Sequence, residues 1–187
     1  MPLTIIPISP DRLAEYASVP MVIDIRSIVV LDKLEVHLPT RPNPLLQEDP
    51  IAIPYRKDYD TQDGGPLQWP NRFDLSGWSF WLARDGHQIV GAAAVKPCLS
   101  DAILWDIRIH PAHQRKGIAT ALFADAARWA KSHGYTALKI ETQDTNVPAN
   151  RFYAAQGCRL IQITRDAYRS QPAVADEVML IWELDLT

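Results

Sequence analysis

The chain has 187 residues, 47% of them hydrophobic, and a formal net charge of -3 at pH 7. That length and composition suit one domain with a single buried core and exclude a disordered chain. Because the charge balance is slightly acidic, we expect no nucleic-acid binding. The sequence contains no apolar run of membrane-spanning length and no secretory leader pattern, so we expect a cytoplasmic protein without membrane contact.

The cysteine and histidine patterns indicate no metal site. Cys98 and Cys158 lie far apart and belong to no CxxC pair, which suits a reducing compartment and argues against structural zinc. We expect both to be buried thiols. His110 and His113 form an HxxH pattern, but Pro111 would break the helix needed to align them as metal ligands.

The first 70 residues combine short predicted elements with a proline-rich stretch. Leu3 to Ser9 is an apolar run typical of a strand, and Ser9-Pro10 resembles a helix N-cap with proline at the first helical position. Met21 to Leu38 alternates in two stretches, which predicts two strands or a hairpin. Residues 39–70 contain seven prolines, which predicts an irregular connection of the kind that often lines a site.

From Pro70 onward, strand-like runs follow one another with short turns between them. Trp78 to Pro97 holds two such runs around Asp85-Gly86, a dipeptide typical of hairpin turns. Another run spans Ala102 to Ile109 and ends at Pro111. We therefore predict a hairpin followed by one more strand.

Two helices are predicted in the second half of the chain. Apolar residues recur at three- and four-residue spacing from Ile118 to Ala130, and Gly134 is placed to end that helix. A shorter helix is expected from about Asn146 to Gly157. Strands at 136–143, 159–165 and 177–184 flank it, so the order of elements predicts one mixed α/β domain.

The segment from Gln114 to Thr120 joins the strand that Pro111 ends to the first of these helices. A helix N-terminus leaves its first N–H groups without intrahelical partners and carries about half a positive charge, so it favours anions. Arg115 and Lys116 add charge, and Gly117 has no Cβ to keep a phosphate away. The segment predicts a phosphate or pyrophosphate site, with a solvated basic loop as the alternative.

This segment contains neither a Walker A loop nor the dinucleotide-binding pattern G-x-G-x-x-G. Instead, "QRKGIA" matches every defined position of the Q/R-x-x-G-x-G/A segment of the GNAT (Gcn5-related N-acetyltransferase) family. The chain resembles that family from Trp78 to about Arg165. Downstream, Cys158 replaces the final aromatic of the N-x-x-A-x-x-F-Y-x-x-x-G-F segment, whose other defined positions are matched by Asn146, Ala149, Phe152, Tyr153 and Gly157.

The resemblance implies the GNAT fold, an α/β (α+β) domain flanked by helices. Its mixed, mostly antiparallel sheet would be splayed between the family's fourth and fifth strands, and "LWDIRIHP" is similar to the bulged fourth strand. The same resemblance implies a single domain over residues 1–187. Residues 1–70 would form the substrate side, 71–165 the acetyl-CoA-binding core, and 166–187 the C-terminal strand.

A closer resemblance concerns the acceptor. The stretches "IETQDTNVPANRFYAAQGC", "DEVMLIWEL" and "PYRKDYD" resemble the streptothricin acetyltransferase branch. This implies metal-free acetyl transfer from acetyl-CoA to a primary amine of a small cationic molecule such as streptothricin, by direct attack in a ternary complex. The alternatives are a protein N-terminal or lysine acetyltransferase and a non-catalytic acyl-CoA-binding sensor. The sequence allows a monomer or a homodimer.

For acetyl-CoA, the resemblance implies that main-chain groups of Ile107, Arg108 and Ile109 pair with the pantetheine arm like an added strand. Asn146 and Asn150 are candidates for polar contacts to that arm, although Asn146 is equally placed to cap its helix. The loop amides would bind the pyrophosphate, with charge from its two basic side chains. The loop residues concerned are Gln114, Arg115, Lys116, Gly117, Ile118, Ala119 and Thr120.

Tyr153 is the candidate catalytic acid, because the tyrosine of the family's "FY" pair commonly has that role. When the amine attacks the thioester, CoA leaves as a thiolate, and an O–H donor near the sulfur can stabilise or protonate it. A buried structural tyrosine is the alternative. Asp106 and Glu141 are the candidate general bases, and either could instead form an ordinary ion pair.

Acidic residues gather in the segments where the family places its substrate loops. Their carboxylates would attract a cationic amine, or else form an ordinary solvated surface. Tyr55, Trp69 and Trp78 are candidates to wall the cleft, with core packing as the alternative for Trp78. The acidic residues are Asp24, Glu35, Glu48, Asp49, Asp58, Asp60 and Asp63.

Overall fold

The computed structural model of the protein describes residues 3–31 and 46–187. Within those ranges, no helix is long and apolar enough to cross a bilayer. The α-helices are α1 (Leu13–Tyr16), α2 (Asp60–Asp63), α3 (Trp69–Arg72), α4 (Ile118–Ser132) and α5 (Val147–Ala155). The strands are β1 (Leu3–Ile8), β2 (Val22–Val29), β3 (Glu48–Asp58), β4 (Ser79–Asp85), β5 (Gln88–Cys98), β6 (Asp101–Ile109), β7 (Ala137–Gln143), β8 (Arg159–Thr164) and β9 (Met179–Asp185).

The chain divides into two compact units. Of the described residues, the first unit holds 3–22, 58–138 and 186–187, and the second holds 23–31, 46–57 and 139–185. Each unit combines strands with helices. That a single domain spans residues 1–187 stays a prediction.

The first unit is built on an antiparallel sheet with the strand order β1-β4-β5-β6. Strands β4 and β5 form the hairpin predicted from Asp85-Gly86, since Asp85 pairs with Gln88 and Gly86 has φ +61°. Strand β6 contains one extra residue, Trp105, because Ala94 pairs with Asp106 but Val95 pairs with Leu104. This β-bulge agrees with the bulged strand that the resemblance implied.

Helix α4 packs against β5 and β6 of this sheet. Its position depends on Gly91, where a Cβ would lie only 3.0 Å from Ile109 Cδ1 and from Ile118 Cγ2. Glycine therefore lets the first turn of α4 approach β5 closely. The sheet also contributes to a core cluster composed of Leu13, Tyr16, Trp69, Phe80, Leu82, Ala92 and Ala94.

Both longer helices end as predicted at a glycine in the left-handed region. Gly134 has φ +81° and Gly157 has φ +84°. After α4, the Tyr135 N–H donates to the Ala130 carbonyl and the Gly134 N–H to the Lys131 carbonyl. The same pair of bonds follows α5, so each helix ends in a Schellman motif.

The predicted N-terminal helix is shorter than its sequence pattern suggested. A 3-10 turn at Pro10–Arg12 precedes the four-residue helix α1. Ser9 does not cap the turn, because its hydroxyl bonds to the side chain of Asp11 instead of a backbone N–H. The cap prediction at Ser9 was therefore wrong, while the strand-then-helix order is confirmed.

The second unit contains the strand order β7-β9-β8 and a separate two-stranded pair, β2 and β3. The prediction of an irregular connection over residues 39–70 was wrong for β3, an 11-residue strand that includes Pro50 and Pro54. A two-stranded sheet leaves one edge of β3 without ladder bonds, and prolines are tolerated there. The first alternating stretch forms β2, whereas the second, from Leu34, lies outside the described residues.

The two cysteines differ in environment. Cys158 is fully buried, and burial raises the pKa of its thiol to about 12. Cys98, at the end of β5, is exposed, so the expectation that both are buried was wrong for Cys98. The strand reaches solvent there because a turn follows, in which Leu99 has φ +54° and is itself exposed.

This difference predicts the reactivity of the thiols. At pH 8 the folded protein should react rapidly with one equivalent of a thiol-specific disulfide reagent, because Cys158 stays protonated and inaccessible. Stopped-flow absorbance measures the count, and denaturant should expose the second thiol. Cys98→Ser should abolish the rapid phase; two rapid equivalents in the folded protein would contradict the placement of Cys158.

Candidate active site

The loop before α4 offers unused amides to an anion. The first intrahelical bond runs from the Ala121 N–H to the Gly117 carbonyl, 3.1 Å, so the amides of Ile118, Ala119 and Thr120 precede the helical ladder. Gly117, the N-cap, has φ +79° and no side chain to cap these amides. Its missing Cβ faces open space, with nothing within 4 Å. The approach to the helix end is therefore unobstructed.

The charge of this loop lies at its surface. Gln114, Arg115 and Lys116 are exposed, and Arg115 has φ +60°, an unfavourable value for a residue with a side chain. Two left-handed residues in a three-residue span bend the backbone sharply just before the helix. Free amides, an open approach and two exposed cations are compatible with the predicted pyrophosphate site, which stays a prediction.

Residues Ile107, Arg108 and Ile109 of β6 differ in how their side chains are used. Their backbone pairs with β5 through Ala93, Ala92 and Gly91. The side chains of Ile107 and Ile109 are half-buried, while Arg108 is buried and only 3% exposed. Only a main-chain role was predicted for Arg108 from the sequence, and the role of its guanidinium was not predicted.

The guanidinium of Arg108 organises a buried polar cluster. Its Nε lies 2.9 Å from Asp106 Oδ1 and its Nη2 lies 2.6 Å from Asp106 Oδ2, a bidentate pair between two residues on one face of β6. Its Nη1 donates to Asp60 Oδ2 at 3.0 Å and to the Val19 carbonyl at 3.1 Å. The Tyr16 hydroxyl completes the cluster by donating to Asp106 Oδ1 at 2.7 Å.

These contacts favour a structural role for Asp106. Burial by itself lowers the pKa of Arg108, but the Asp106 carboxylate more than offsets this effect. The pKa of Arg108 is therefore raised overall, and the guanidinium stays charged. Burial, followed by the Asp106 charge, raises the pKa of Tyr16 well above its usual value, so Tyr16 remains a donor. Asp106 thus forms the ion pair that was the alternative to a general base. The signal in the sequence was the Asp-x-Arg spacing on a strand.

Asn150, in the second unit, has all the hydrogen-bonding groups of its side chain occupied by other residues of the chain. It is completely buried, and its Oδ1 accepts hydrogen bonds from Thr142 Oγ1 and Trp182 Nε1, both at 2.7 Å. Its Nδ2 donates to the carbonyls of Gln143 at 2.8 Å and Asn146 at 2.9 Å. Because these four bonds exhaust the side chain, Asn150 positions the start of α5 and has no group left for a cofactor. The predicted contact of Asn150 to the cofactor arm is corrected accordingly.

The remaining predicted residues of the second unit lie on β7 and α5. Asn146 caps α5, since its Oδ1 accepts the Ala149 N–H at 3.2 Å. Glu141 is exposed and accepts a hydrogen bond from the Tyr168 hydroxyl at 2.7 Å. Burial raises the pKa of Tyr168, so that hydroxyl keeps its proton. Tyr153 is buried on α5, with its ring edge-on to Phe152.

The predicted acidic residues do not share one environment. Asp60 belongs to the Arg108 cluster, and Glu48 lies 2.6 Å from Arg151. Asp24 lies 3.8 Å from Arg26 at the surface. Glu35 lies outside the described residues, as does the side chain of Asp63.

The three candidate wall residues also differ. Trp69 is 2% exposed and belongs to the core of the first unit, so its assignment to a cleft wall was wrong. Trp78 packs against that core, as its alternative predicted. Tyr55 of β3 is 45% exposed. Across residues 3–31 and 46–187, no group of three or more His, Cys, Asp or Glu converges to hold a metal ion.

A family model of the "Acetyltransferase (GNAT) family" matches residues 45–158, more than half of the chain. The chain belongs to the GNAT family of acetyltransferases. It is an N-acetyltransferase of mixed α/β fold, with mostly antiparallel strands and flanking helices, and the predicted family and fold class are confirmed.

Relatives of this GNAT enzyme include two streptothricin acetyltransferases. Streptothricin acetyltransferase from Escherichia coli is 28% identical over 155 residues, which cover 82% of this chain and 83% of the relative. Streptothricin acetyltransferase A from Bacillus subtilis (strain 168) is 33% identical over 136 residues, which cover 72% and 76%.

A solved structure shows the same fold. A Bacillus anthracis protein assigned as a streptothricin acetyltransferase, in complex with acetyl coenzyme A, matches with a TM-score of 0.80 and 21% identity. The match covers 98% of this GNAT enzyme and 99% of that protein. The likeness therefore extends over nearly the whole length of both chains.

The Asp106–Arg108 pair gives a stability prediction for the enzyme. Asp106→Asn should lower the free energy of unfolding by about 3 kcal/mol, because it leaves a buried guanidinium short of its main counter-charge. Urea denaturation followed by circular dichroism measures this. The control is Asp125→Asn, which removes a carboxylate paired with the exposed Arg128. It should lower the free energy of unfolding several-fold less than Asp106→Asn does. Full stability with lost turnover in Asp106→Asn would instead indicate the general base.

The loop before α4 gives a binding prediction. Gly117→Glu should abolish the rise in melting temperature that saturating acetyl-CoA produces, because it adds bulk and negative charge beside the helix amides. Gly117→Ala is the matched control, since it imposes the same left-handed strain without the charge. A full acetyl-CoA-dependent rise in Gly117→Glu would exclude this loop as the pyrophosphate site.

Proposed function

We propose that this GNAT enzyme transfers the acetyl group of acetyl-CoA to a primary amine of a small cationic molecule such as streptothricin. The observation that carries the proposal is the extent of its likeness to streptothricin acetyltransferase, 82% of the chain. That span reaches well beyond the acetyl-donor motifs. This extent supports a shared class of acceptor as well as a shared acetyl donor.

Acetyl-CoA would supply an activated thioester, and the loop before α4 would hold its pyrophosphate. The amides of Ile118, Ala119 and Thr120 would donate to the phosphate oxygens, and Arg115 and Lys116 would add opposite charge. By resemblance to the family, the backbone of residues 107–109 and the Asn146 side chain would hold the pantetheine arm.

Two residues of the second unit are assigned to the proton transfers. We assign Tyr153 as the acid, because its O–H can protonate the leaving thiolate and its place in the "FY" pair matches the family. With Asp106 held in an ion pair, Glu141 is the remaining predicted base. It is exposed, and so can take the proton of the amine directly or through water.

The acceptor is tested with a panel of amines that contains streptothricin, aminoglycosides, polyamines and peptides. Release of free thiol from acetyl-CoA measures turnover, and mass spectrometry should show a gain of one acetyl group on the amine. We expect streptothricin to give the highest kcat/KM. A preference for peptides would support the protein acetyltransferase alternative. If none of the amines in the panel is acetylated, the result would support the acyl-CoA-binding sensor.

The best acceptor of that panel then tests Tyr153. Tyr153→Phe should lower kcat by about ten- to a thousand-fold and leave the affinity for acetyl-CoA nearly unchanged, because only the proton donor is lost. Tyr135→Phe is the control, since it also removes one tyrosine hydroxyl but lies in the other unit beside Trp129. Unchanged kcat in Tyr153→Phe would remove Tyr153 from the mechanism.

A further inference from the structure

Asp144, just beyond β7, is a buried carboxylate without a cation partner. It is 6% exposed, and its Oδ1 accepts the N–H groups of Val178 at 2.9 Å and Thr145 at 3.0 Å. Its backbone is held as well, by bonds to Val29 and Val178, both 3.0 Å. Within the described part of the chain, no Lys, Arg or His pairs with its carboxylate. Asp144 is thus rigidly placed, and its negative charge is uncompensated.

A neighbouring carboxylate is already neutralised. Lys57 Nζ lies 2.7 Å from Glu177 Oε1 and 2.5 Å from Oε2, and both side chains are buried. Burial, and to a lesser extent the nearby Glu177, raise the pKa of Asp144. The surroundings therefore disfavour a bare charge on Asp144, and a second cation would relieve that cost.

An unsatisfied hydroxyl lies beside this carboxylate. Thr145 is 9% exposed, and its Oγ1 makes no hydrogen bond of acceptable geometry with any residue that the structure describes. The Tyr55 hydroxyl lies close enough to be affected by the same groups: burial, then the charges of Glu177 and Asp144, raise its pKa, and the Thr145 side chain lowers it. Tyr55 is 45% exposed, so it links this buried position to solvent. A buried hydroxyl without a partner in the chain is able to bind a polar ligand group.

We propose that Asp144, Thr145 and Tyr55 bind an ammonium group of the acceptor amine. An ammonium group has three N–H donors, and this position offers the free Asp144 Oδ2, the Thr145 hydroxyl and the Tyr55 hydroxyl as acceptors. All three residues belong to the second unit, as do Lys57 and Glu177. The proposal rests on the proposed function and adds the residues that select a cationic acceptor. Neither a neutral nor an anionic group would compensate Asp144.

The test uses the full chain and the best acceptor of the amine panel. Asp144→Asn should raise KM for the amine by about 10- to 100-fold, with kcat and KM for acetyl-CoA nearly unchanged, because a charge-assisted contact is lost. The amide oxygen of asparagine can still accept both backbone N–H groups, so the fold should survive. Asp166→Asn is the matched control, since it makes the same change at an exposed residue of the same unit, and its KM should equal that of the wild type.

A second variant separates ligand binding from packing. Thr145→Val keeps the shape and removes the unpaired hydroxyl, so its melting temperature should stay the same or rise. If the hydroxyl binds the ammonium group, KM for the amine should rise by about three- to tenfold. This variant carries the test if Asp144→Asn does not fold. An unchanged KM would show that the hydroxyl has no part in binding.

The outcomes distinguish this inference from the proposed function. If the wild type acetylates a cationic amine and both variants keep its KM, the assignment of Asp144 and Thr145 is overturned while the proposed function stands. If the wild type acetylates none of the amines, the proposed function fails and the assignment fails with it. A selective rise in KM for the amine in both variants supports the assignment.

Discussion

The first unit depends on the hydrogen bonds and ion pairs made by the buried guanidinium of Arg108. A guanidinium that has lost its hydration must find acceptors for its donors, or the fold pays a large desolvation cost. Three parts of the chain provide acceptors for this guanidinium. Asp106 lies on the same strand, the Val19 carbonyl belongs to the segment after α1, and Asp60 lies on α2. One side chain thereby fixes two separate segments against the sheet.

The polar groups described above fall into two physical classes. Asn150 and Asp106 have their hydrogen-bonding groups occupied within the chain, so they hold the structure in place. The amides at the start of α4 lie ahead of the helical ladder, and Asp144 lacks a counter-charge among the described residues. Groups of this second kind are where a ligand gains most from binding, because it supplies a partner that the described residues do not.

Sequence reasoning succeeded where local chemistry decides the structure. The hairpin at Asp85-Gly86, the helix start at Gly117 and the glycine ends at Gly134 and Gly157 each follow from backbone preferences within a few residues. It failed where distant partners decide. Strand β3 contains two prolines and is a strand only because β2 pairs with it. The hydrogen bonds of the Arg108 cluster join residues up to 90 positions apart, a relation that no local pattern encodes.

The single extra residue in β6 determines the side of the sheet on which the charged side chains of Asp106 and Arg108 lie. In a regular strand Leu104 and Asp106 would point the same way, yet they pair with the consecutive residues Val95 and Ala94, which face opposite sides. The bulge at Trp105 therefore reverses the alternation of β6 halfway along. It turns Asp106 and Arg108 toward Tyr16, on the side of Ala94 and Ala92. Without that one-residue change of phase, the ion pair would be directed into the apolar face of α4.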